Sequence, residues 1–243
     1  MQKERVLVTG ASGFIGSNLL DYLLEKDYEV IGLSRQKNLP KIHPHLTWIR
    51  ALEELKHDRI DYVVNLAGES IAQGRWTDAR KQKLIASRVE TTTMLYQYLA
   101  KRKIQPKCII SGSAVGYYGI DPTEQWTECC NEQSAPQSIF MSELCQKWEQ
   151  SARQDTSQNT KIIRLGVVFG RGAGILPQML FPIKMNLCGR IGSGWQPVVW
   201  VHIQDVLRAI EFLMLHETTE QVFNVVSPEK VTQSAFAQTA AQI

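Results

Sequence analysis

The sequence lacks an apolar run approaching the roughly 20 residues that a membrane-spanning helix requires. Its first ten residues, MQKERVLVTG, include basic side chains but no separate apolar region and cleavage site of the kind found in secretory signals. A strong charge of one sign is also missing, since Lys and Arg total 27 against 24 Asp and Glu and no basic stripe stands out. These absences argue against membrane and nucleic-acid partners and favour a cytoplasmic protein.

Cysteine is scarce, with five residues in the chain, and no two of them have the C-x-x-C spacing typical of a zinc site. The odd number, with Cys129 and Cys130 adjacent, does not predict a disulfide framework either. We therefore expect no metal and a reducing compartment. The composition, with 44% hydrophobic and 21% charged residues, is that of an ordinary globular protein of one or two domains.

Short apolar runs alternate along the chain with longer segments of helical periodicity. Because buried strands that alternate with helices are typical of βαβ units, the sequence predicts an α/β fold of Rossmann type with a doubly wound parallel sheet. The predicted strands are residues 5–9, 29–33, 62–66, 107–111, 161–168 and 222–226. A helix is predicted to follow the first strand, and further helices are predicted over residues 75–103, 139–152, 206–215, capped by Asp205, and 233–243.

Three glycines, Gly10, Gly13 and Gly16, lie between the first predicted strand and the first helix. Glycine permits a tight turn and close approach of the backbone to a pyrophosphate, and the helix start offers free N–H groups and the positive end of its dipole. The spacing is G-x-x-G-x-x-G rather than G-x-G-x-x-G, and a purely structural turn is the alternative. The position in a βαβ unit favours a dinucleotide site. The other residues predicted to contact the cofactor in this turn are Ser12, Phe14 and Ile15.

The second predicted strand ends in Ser34 and Arg35, about 20 residues past the glycines, where NAD-binding folds usually carry an acidic residue. A carboxylate there would repel a 2′-phosphate, whereas a guanidinium can bind one. We therefore predict that NADP(H) is favoured over NAD(H), the alternative being that Arg35 is a solvated surface residue.

Residues 170–200 are rich in Gly, Pro and Trp and predict an irregular, loop-rich region. We therefore predict a mainly NADP-binding Rossmann domain over residues 1–169. Residues 170–243 are predicted to be a mixed region of substrate-binding loops and returning Rossmann elements. The last predicted helix stops without a Gly or Asn cap, so we also expect the native C-terminus to be truncated in this chain.

Five stretches resemble motifs of the extended short-chain dehydrogenase/reductases: residues 8–16 (VTGASGFIG), 65–68, 111–119, 164–170 and 200–205. Five others resemble a narrower, atypical branch, the sugar-nucleotide epimerase family proteins of the NAD-dependent epimerase/dehydratase superfamily. These are residues 66–71, 75–78, 87–89, 144–149 and 191–194.

This resemblance implies an enzyme, an NADP-dependent epimerase or oxidoreductase acting on a small molecule, with sugar nucleotides as one candidate class. It implies that the backbone of Leu66, Ala67 and Gly68 lies along the nucleotide and that Val168 lies near the nicotinamide end. Arg88 takes the place of a cofactor-contacting Asn of the family, the alternative being an Arg on a helix surface.

The chain departs from the family where the usual proton donor is found, in a Tyr-x-x-x-Lys pair on a helix. The corresponding residues here are Phe140 and Leu144, which can neither donate a proton nor supply an ammonium group. The predicted catalytic residues are therefore Ser113, whose hydroxyl could stabilise developing charge, and Tyr118, whose phenol could act as acid or base. The alternatives are a strand-end serine bonded to its own backbone and a packed aromatic side chain.

Four further side chains are predicted to contact a substrate. Glu69 follows the strand ending near residue 66, at the sheet edge where ligands bind in such folds. Arg190 and Trp195 lie in the loop-rich region, and His202 could titrate near neutral pH. The structural alternatives are a carboxylate at a helix start, residues that pack the small region, and a hydrogen-bonded structural histidine.

Two functions stay open at this point. The first is an NADP-dependent epimerase or oxidoreductase, which Ser113 and Tyr118 favour. The second is an NADPH-binding sensor or scaffold with a degenerate catalytic site, which Phe140 and Leu144 favour. The oligomeric state cannot be predicted from these patterns.

Overall fold

The computed structural model describes residues 3–36, 39, 41–56, 59–72, 74–124, 129–185 and 192–242. The strands are β1 (Arg5–Thr9), β2 (Glu29–Leu33), β3 (Leu46–Ile49), β4 (Tyr62–Asn65), β5 (Cys108–Ala114), β6 (Thr160–Leu165), β7 (Val167–Phe169), β8 (Trp200–His202) and β9 (Val222–Val225). The helices are α1 (Phe14–Glu25), α2 (Asp78–Arg102), α3 (Phe140–Ala152), α4 (Leu176–Lys184), α5 (Ile203–Leu215) and α6 (Gln233–Ala241). No helix among the described residues is both long and apolar enough to cross a membrane.

Seven strands form one parallel sheet in the order β3-β2-β1-β4-β5-β6-β9. The chain moves outward from β1 in one direction and then, from β4 onward, in the other. The predicted Rossmann-type doubly wound sheet is therefore confirmed. In such sheets ligands bind outside the carboxyl ends of the strands, at the point where the order reverses, which here lies between β1 and β4.

Each face of the sheet buries alternate residues of the same strands, because successive side chains of a strand point to opposite sides. Val6 and Val64 lie in a cluster with apolar residues of α1 and α5. Leu7 and Val63 lie in the other cluster, with apolar residues of α2. The helices pack in this way because their leucines, isoleucines and valines recur at three- and four-residue spacing.

The prediction of one strand over residues 161–168 is wrong in one respect, because this segment forms two strands, β6 and β7. The amide of Gly166 still donates to Val225 O at 3.2 Å, but the amide of Val167 donates to Val199 O at 2.7 Å. The ladder therefore changes partner at Gly166, and β7 pairs with β8 outside the main sheet. A Cβ at Gly166 would lie 2.9 Å from Val199 O, so the backbones meet there only because glycine has no side chain.

Four other elements differ from the sequence prediction. Strands β3 and β8 were not predicted, and a helix, α4, lies within the region predicted to be irregular. Helix α5 begins at Ile203 rather than 206 and is capped by His202, whose Nδ1 accepts from the amide of Gln204, so Asp205 is not its cap. Strand β9 extends the main sheet, and α5 packs on the same face as α1.

The glycine turn fixes how closely α1 approaches β1. A Cβ at Gly16 would lie 2.8 Å from Ala11 Cα and closer still to the Gly10 carbonyl oxygen. We expect Gly16→Ala to lower the free energy of unfolding by about 1–3 kcal/mol, since the rigid backbone must shift. Urea unfolding followed by tryptophan fluorescence measures this loss.

Gly116→Ala is the matched control, because a Cβ there would first meet the flexible end of Met141 at 3.3 Å. We expect its unfolding free energy to stay within about 0.5 kcal/mol of the parent. Equal losses in the two variants would show that close packing at Gly16 is not the cause.

Candidate functional site

The glycine turn after β1 lies at the carboxyl edge of the sheet, at the reversal of strand order. Gly10 has φ +66°, and a Cβ there would lie 2.7 Å from Leu66 O. Its carbonyl accepts from the amide of Gly13 at 2.9 Å. Helix α1 then begins with no side-chain cap on its amides and no acidic residue in its first turn. The turn thus combines close backbone approach with donor groups for an anion, which fits the pyrophosphate of a dinucleotide.

The end of β2 lies beside this turn. The hydroxyls of Ser12 and Ser34 are 2.6 Å apart, and Ser34 is buried. Arg35 is exposed, and it has no hydrogen bond or ion pair to any described residue. Its guanidinium is therefore available to a ligand, on the side of the turn where the ribose of a dinucleotide is expected.

Phe14 joins the turn to the segment after β7. A Cβ at either Gly170 or Gly174 would lie 2.9 Å from the Phe14 ring, so both glycines pack directly against it. Ile15 and Val168 are half-buried against the core cluster on the α1 face. Residues from both ends of the predicted cofactor site therefore lie on one face of the sheet.

The segment after β4 lies across the reversal point from β2. The amide of Leu66 donates to Thr9 O at 3.3 Å, and the amide of Ala67 donates to Thr9 Oγ1 at 3.2 Å. Gly68 lies against Arg88, since a Cβ there would be 3.0 Å from Arg88 Cζ. The backbone of residues 66–68 is therefore held in place at the sheet edge where a nucleotide would lie.

The alternative weighed for Arg88, an Arg on a helix surface, is wrong, because Arg88 is buried on α2. Its Nη2 donates to Glu69 O at 2.9 Å, its Nη1 donates to Leu84 O at 3.2 Å, and its guanidinium lies 5.2 Å from the Trp148 ring centroid. Burial lowers the pKa of Arg88. A direct contact to the cofactor stays a prediction.

Glu69 is already paired. Its carboxylate forms an ion pair with Arg80 and a second one with Lys83 at 3.2 Å. These hydrogen bonds lower the pKa of Glu69, which holds it as a carboxylate. The pairing ties the loop after β4 to the first turns of α2, and a role toward substrate stays a prediction.

The positions of the missing Tyr-x-x-x-Lys pair lie on α3. The Phe140 ring meets the Trp76 ring edge-on at 5.6 Å, and Lys81 Nζ lies 5.5 Å from its centroid. Leu144 is 1% exposed and packs as a core residue. An ammonium group at Leu144 would have to lie in this apolar environment.

Ser113 and Tyr118 belong to one hydrogen-bonded network at the carboxyl end of β5. Ser113 Oγ donates to Glu149 Oε1 at 2.7 Å rather than to its own backbone. The Tyr118 hydroxyl donates to Asn224 Oδ1 at 2.7 Å and accepts from Arg164 Nη1 at 2.9 Å. Burial raises the pKa of Tyr118, so its phenol stays protonated at neutral pH.

Glu149 and Arg164, which join these two hydroxyls, were missed as site residues. They form a buried ion pair in which Arg164 Nε donates to Oε1 at 2.8 Å and Nη2 donates to Oε2 at 2.9 Å. The available signal was a charged residue inside an otherwise apolar strand, since Arg164 lies within the run Ile-Ile-Arg-Leu of β6. A buried charge needs a partner, and the sequence did not show which one.

Two of the remaining predicted substrate residues, Trp195 and His202, lie at exposed positions of the described chain. Trp195 is 64% exposed, and His202 is exposed and caps α5 through its ring nitrogen. Arg190 lies outside the described residues. Within the described part of the chain, no cluster of three His, Cys, Asp or Glu side chains could hold a metal, and Cys108, Cys129, Cys130 and Cys145 are unpaired.

The sheet order and the glycine turn define a Rossmann-like α/β protein. The model of the NAD-dependent epimerase/dehydratase family matches residues 6–226. The chain belongs to this family. An epimerase family protein of Staphylococcus saprophyticus is 35% identical over 245 residues, which cover 99% of this chain and 80% of that protein. One from Staphylococcus aureus strain MW2 is 33% identical, over 98% of this chain and 80% of its own length.

Solved structures give the same assignment. Human epimerase family protein SDR39U1 (isoform 2), solved with NADPH, is 35% identical with a TM-score of 0.84, over 97% of this chain and 78% of its own. A nucleoside-diphosphate sugar epimerase from Corynebacterium glutamicum is 26% identical with a TM-score of 0.78, over 99% of this chain and 50% of its own. UDP-glucuronic acid 4-epimerase from Bacillus cereus, solved with UDP-glucuronic acid and NAD, shares the fold at 19% identity and a TM-score of 0.79, over 98% of this chain and 82% of its own.

The α3 positions yield a stability prediction. We expect Leu144→Lys to lower the free energy of unfolding by more than about 3 kcal/mol, the scale of an uncompensated buried charge. Phe140→Tyr should change it by less than about 0.5 kcal/mol, because the half-buried ring can place a hydroxyl toward solvent. Urea unfolding of both variants tests the difference. A stable Leu144→Lys variant would mean that this side of α3 is open to water.

Proposed function

We propose that this protein is an NADP(H)-dependent epimerase or oxidoreductase acting on a small molecule. The observation that carries the cofactor choice is the exposed Arg35 beside the glycine turn, which has no partner among the described residues and stands where an acidic residue would select NAD. The human relative at 35% identity, solved with NADPH, supports this choice.

The residues around the turn would hold the cofactor in distinct ways. The first amides of α1, after Gly10 and Gly13, would bind the pyrophosphate, and Arg35 with the Ser12–Ser34 hydroxyl pair would bind the ribose phosphate. The glycine turn directly follows β1 and Ser34 directly follows β2, so the two strands hold the backbone of these residues at the sheet edge.

Other cofactor contacts would come from Gly16, Phe14, Ile15, Leu66, Ala67, Gly68, Arg88 and Val168.

A sugar nucleotide is our proposed substrate class, and the epimerase named for nucleoside-diphosphate sugars at 26% identity supports it. The substrate would lie against residues 170–243, the region we propose to provide its loops. Glu69, Arg190, Trp195 and His202 remain the proposed substrate contacts. Of these, Glu69 and His202 already have protein partners, so a substrate would meet side chains whose orientation the protein has already set.

Catalysis would depend on hydroxyl groups rather than on a Tyr-x-x-x-Lys pair. The bound nicotinamide supplies hydride transfer to or from a substrate carbon. Ser113 and Tyr118 would orient the substrate oxygen, and the proton that this oxygen loses or gains as the hydride moves would pass to or from Tyr118 or a water. The fixed bonds of the two hydroxyls to Glu149 and Asn224 support a preorganised arrangement.

An NADPH-binding sensor with a degenerate site is the second candidate. Phe140 and Leu144 favour it, because neither side chain can take part in proton transfer. The two functions differ in whether turnover accompanies tight NADPH binding.

The cofactor choice predicts a difference between two affinities. We expect NADPH to bind roughly ten- to a hundredfold more tightly than NADH, the scale of a charge-assisted hydrogen bond. Arg35→Asp should reverse this preference, because a carboxylate repels the 2′-phosphate and can accept from a ribose hydroxyl. Fluorescence titration gives both dissociation constants.

Arg208→Asp is the matched control, since it makes the same charge change on an exposed position of α5, where Arg208 forms an ion pair with Asp205. It should leave the ratio of the two affinities unchanged. A ratio near one in the parent protein would contradict the NADP assignment.

The catalytic proposal predicts a loss of turnover. Ser113→Ala and Tyr118→Phe should each lower kcat by about 10²–10⁴-fold, with NADPH affinity nearly unchanged. UDP-sugars and carbonyl compounds are screened by NADPH absorbance and by chromatography of the sugar products. Tyr117→Phe is the control, because its ring stacks on Arg164 and would keep doing so as phenylalanine.

Turnover at the parent rate in both variants would contradict these assignments. Tight NADPH binding without turnover by the parent in the whole screen would favour the sensor.

A further inference from the structure

The hydroxyl of Ser113 has a single proton, and that proton is committed. Ser113, Glu149 and Arg164 are each only 2% exposed, and Ser113 Oγ donates to Glu149 Oε1 at 2.7 Å. A hydroxyl has one donor and two acceptor lone pairs. With its proton donated to a carboxylate, and with the Cys145 thiol as a further partner, Ser113 can offer a ligand only a remaining acceptor lone pair unless the bond to Glu149 is first broken.

The carboxylate that holds this proton is itself fixed. Arg164 donates to both oxygens of Glu149, and Arg153 Nη2 lies 3.7 Å from Oε2. A planar contact with two parallel hydrogen bonds fixes the orientation of the carboxylate as well as stabilising its charge. Rotation of Glu149 away from Ser113 would break the contacts with Arg164, so the direction of the serine hydrogen bond is set by the ion pair.

Arg164 is held on its other side too. Its Nη1 donates to Tyr118 and, at 3.1 Å, to Glu132 O, while its guanidinium lies 3.4 Å from the Tyr117 ring centroid. Glu132 Oε1 in turn accepts from the amide of Asn224 at 2.8 Å. One buried cation thus organises the groups around both candidate catalytic hydroxyls.

We propose that Glu149, held by Arg164, is a positioning residue that accepts the hydrogen bond of the Ser113 hydroxyl, so that Ser113 faces the substrate as an acceptor for a hydroxyl group. This inference rests on the proposed function. A ligand hydroxyl can donate to Ser113 while the bond from Ser113 to Glu149 stays intact, whereas a ligand carbonyl competes with Glu149 for the serine hydrogen. The competition disfavours the carbonyl by roughly ten- to a hundredfold, the scale of a hydrogen bond to a charged group.

The test is a double-mutant cycle on kcat and KM. UDP-glucose, UDP-glucuronic acid and UDP-N-acetylglucosamine, each with NADP⁺, are the probes, and turnover is followed by NADPH absorbance and product chromatography. We expect Glu149→Gln to lower kcat by about tenfold or more, the scale of lost positioning, with NADPH affinity unchanged. The effect should vanish in the Ser113→Ala background, because a residue that acts through Ser113 has nothing left to position.

Glu149→Asp is a second variant, for the case that Glu149→Gln fails to fold. It keeps a negative charge facing Arg164, but its shorter side chain withdraws the oxygen from Ser113. We expect it to lose kcat as Glu149→Gln does, with a smaller drop in Tm. Glu143→Gln, at an exposed position on the same helix, is the control and should change neither quantity.

The outcomes separate the inference from the function. Independent, multiplicative losses in the double variant, or a lower Tm with unchanged kcat, would make Glu149 a purely structural residue while the enzyme assignment stands. A parent protein that turns over none of the three probes would reject the sugar-nucleotide reaction and the positioning role together.

Discussion

The close approach of three backbone segments at the reversal of the sheet is the constraint on which the site depends. Gly10 lies against the carbonyl of Leu66, and Gly16 lies against Gly10. Any side chain at these positions would separate β1 from the segment after β4 or from α1. Because they do touch, the start of α1, the end of β2 and residues 66–68 all meet at one edge, where a dinucleotide can be held without rearrangement.

A buried ion pair between Glu149 and Arg164 lies next to this edge. Removing Glu149 and Arg164 from water is costly, and their mutual attraction offsets that cost only with good geometry and further hydrogen bonds. Both conditions are met. Arg164 Nε and Nη2 donate to the two carboxylate oxygens of Glu149, and Nη1 donates to Tyr118 and to Glu132. A buried ion pair is weak evidence for stability. Here the pair fixes the directions of the neighbouring polar groups, the hydroxyls of Ser113 and Tyr118.

Local patterns predicted the parts of the site that are local in sequence. The glycine turn and Ser34 with Arg35 follow their strands directly, so their place at the sheet edge follows from strand order alone. Strand β3 was missed because Leu46–Ile49 is a short edge strand with little burial and no clear alternation. The cap of α5 was assigned to Asp205 rather than His202 because a β-strand ends where the helix begins, which sequence propensity does not reveal.

The sequence by itself determined the alternation of strands and helices, the glycine turn after β1 and the absence of the Tyr-x-x-x-Lys pair at its usual place. Each of these depends on residues within one element or one turn, where propensity and spacing suffice. Only the tertiary structure decided the partners of Ser113, Tyr118 and Arg88. Ser113 meets Glu149 across 36 residues, and Tyr118 meets Asn224 across 106. Such pairs form only when the fold packs α3, β6 and β9 beside the end of β5, because no periodicity in the sequence records which buried charge will face which hydroxyl.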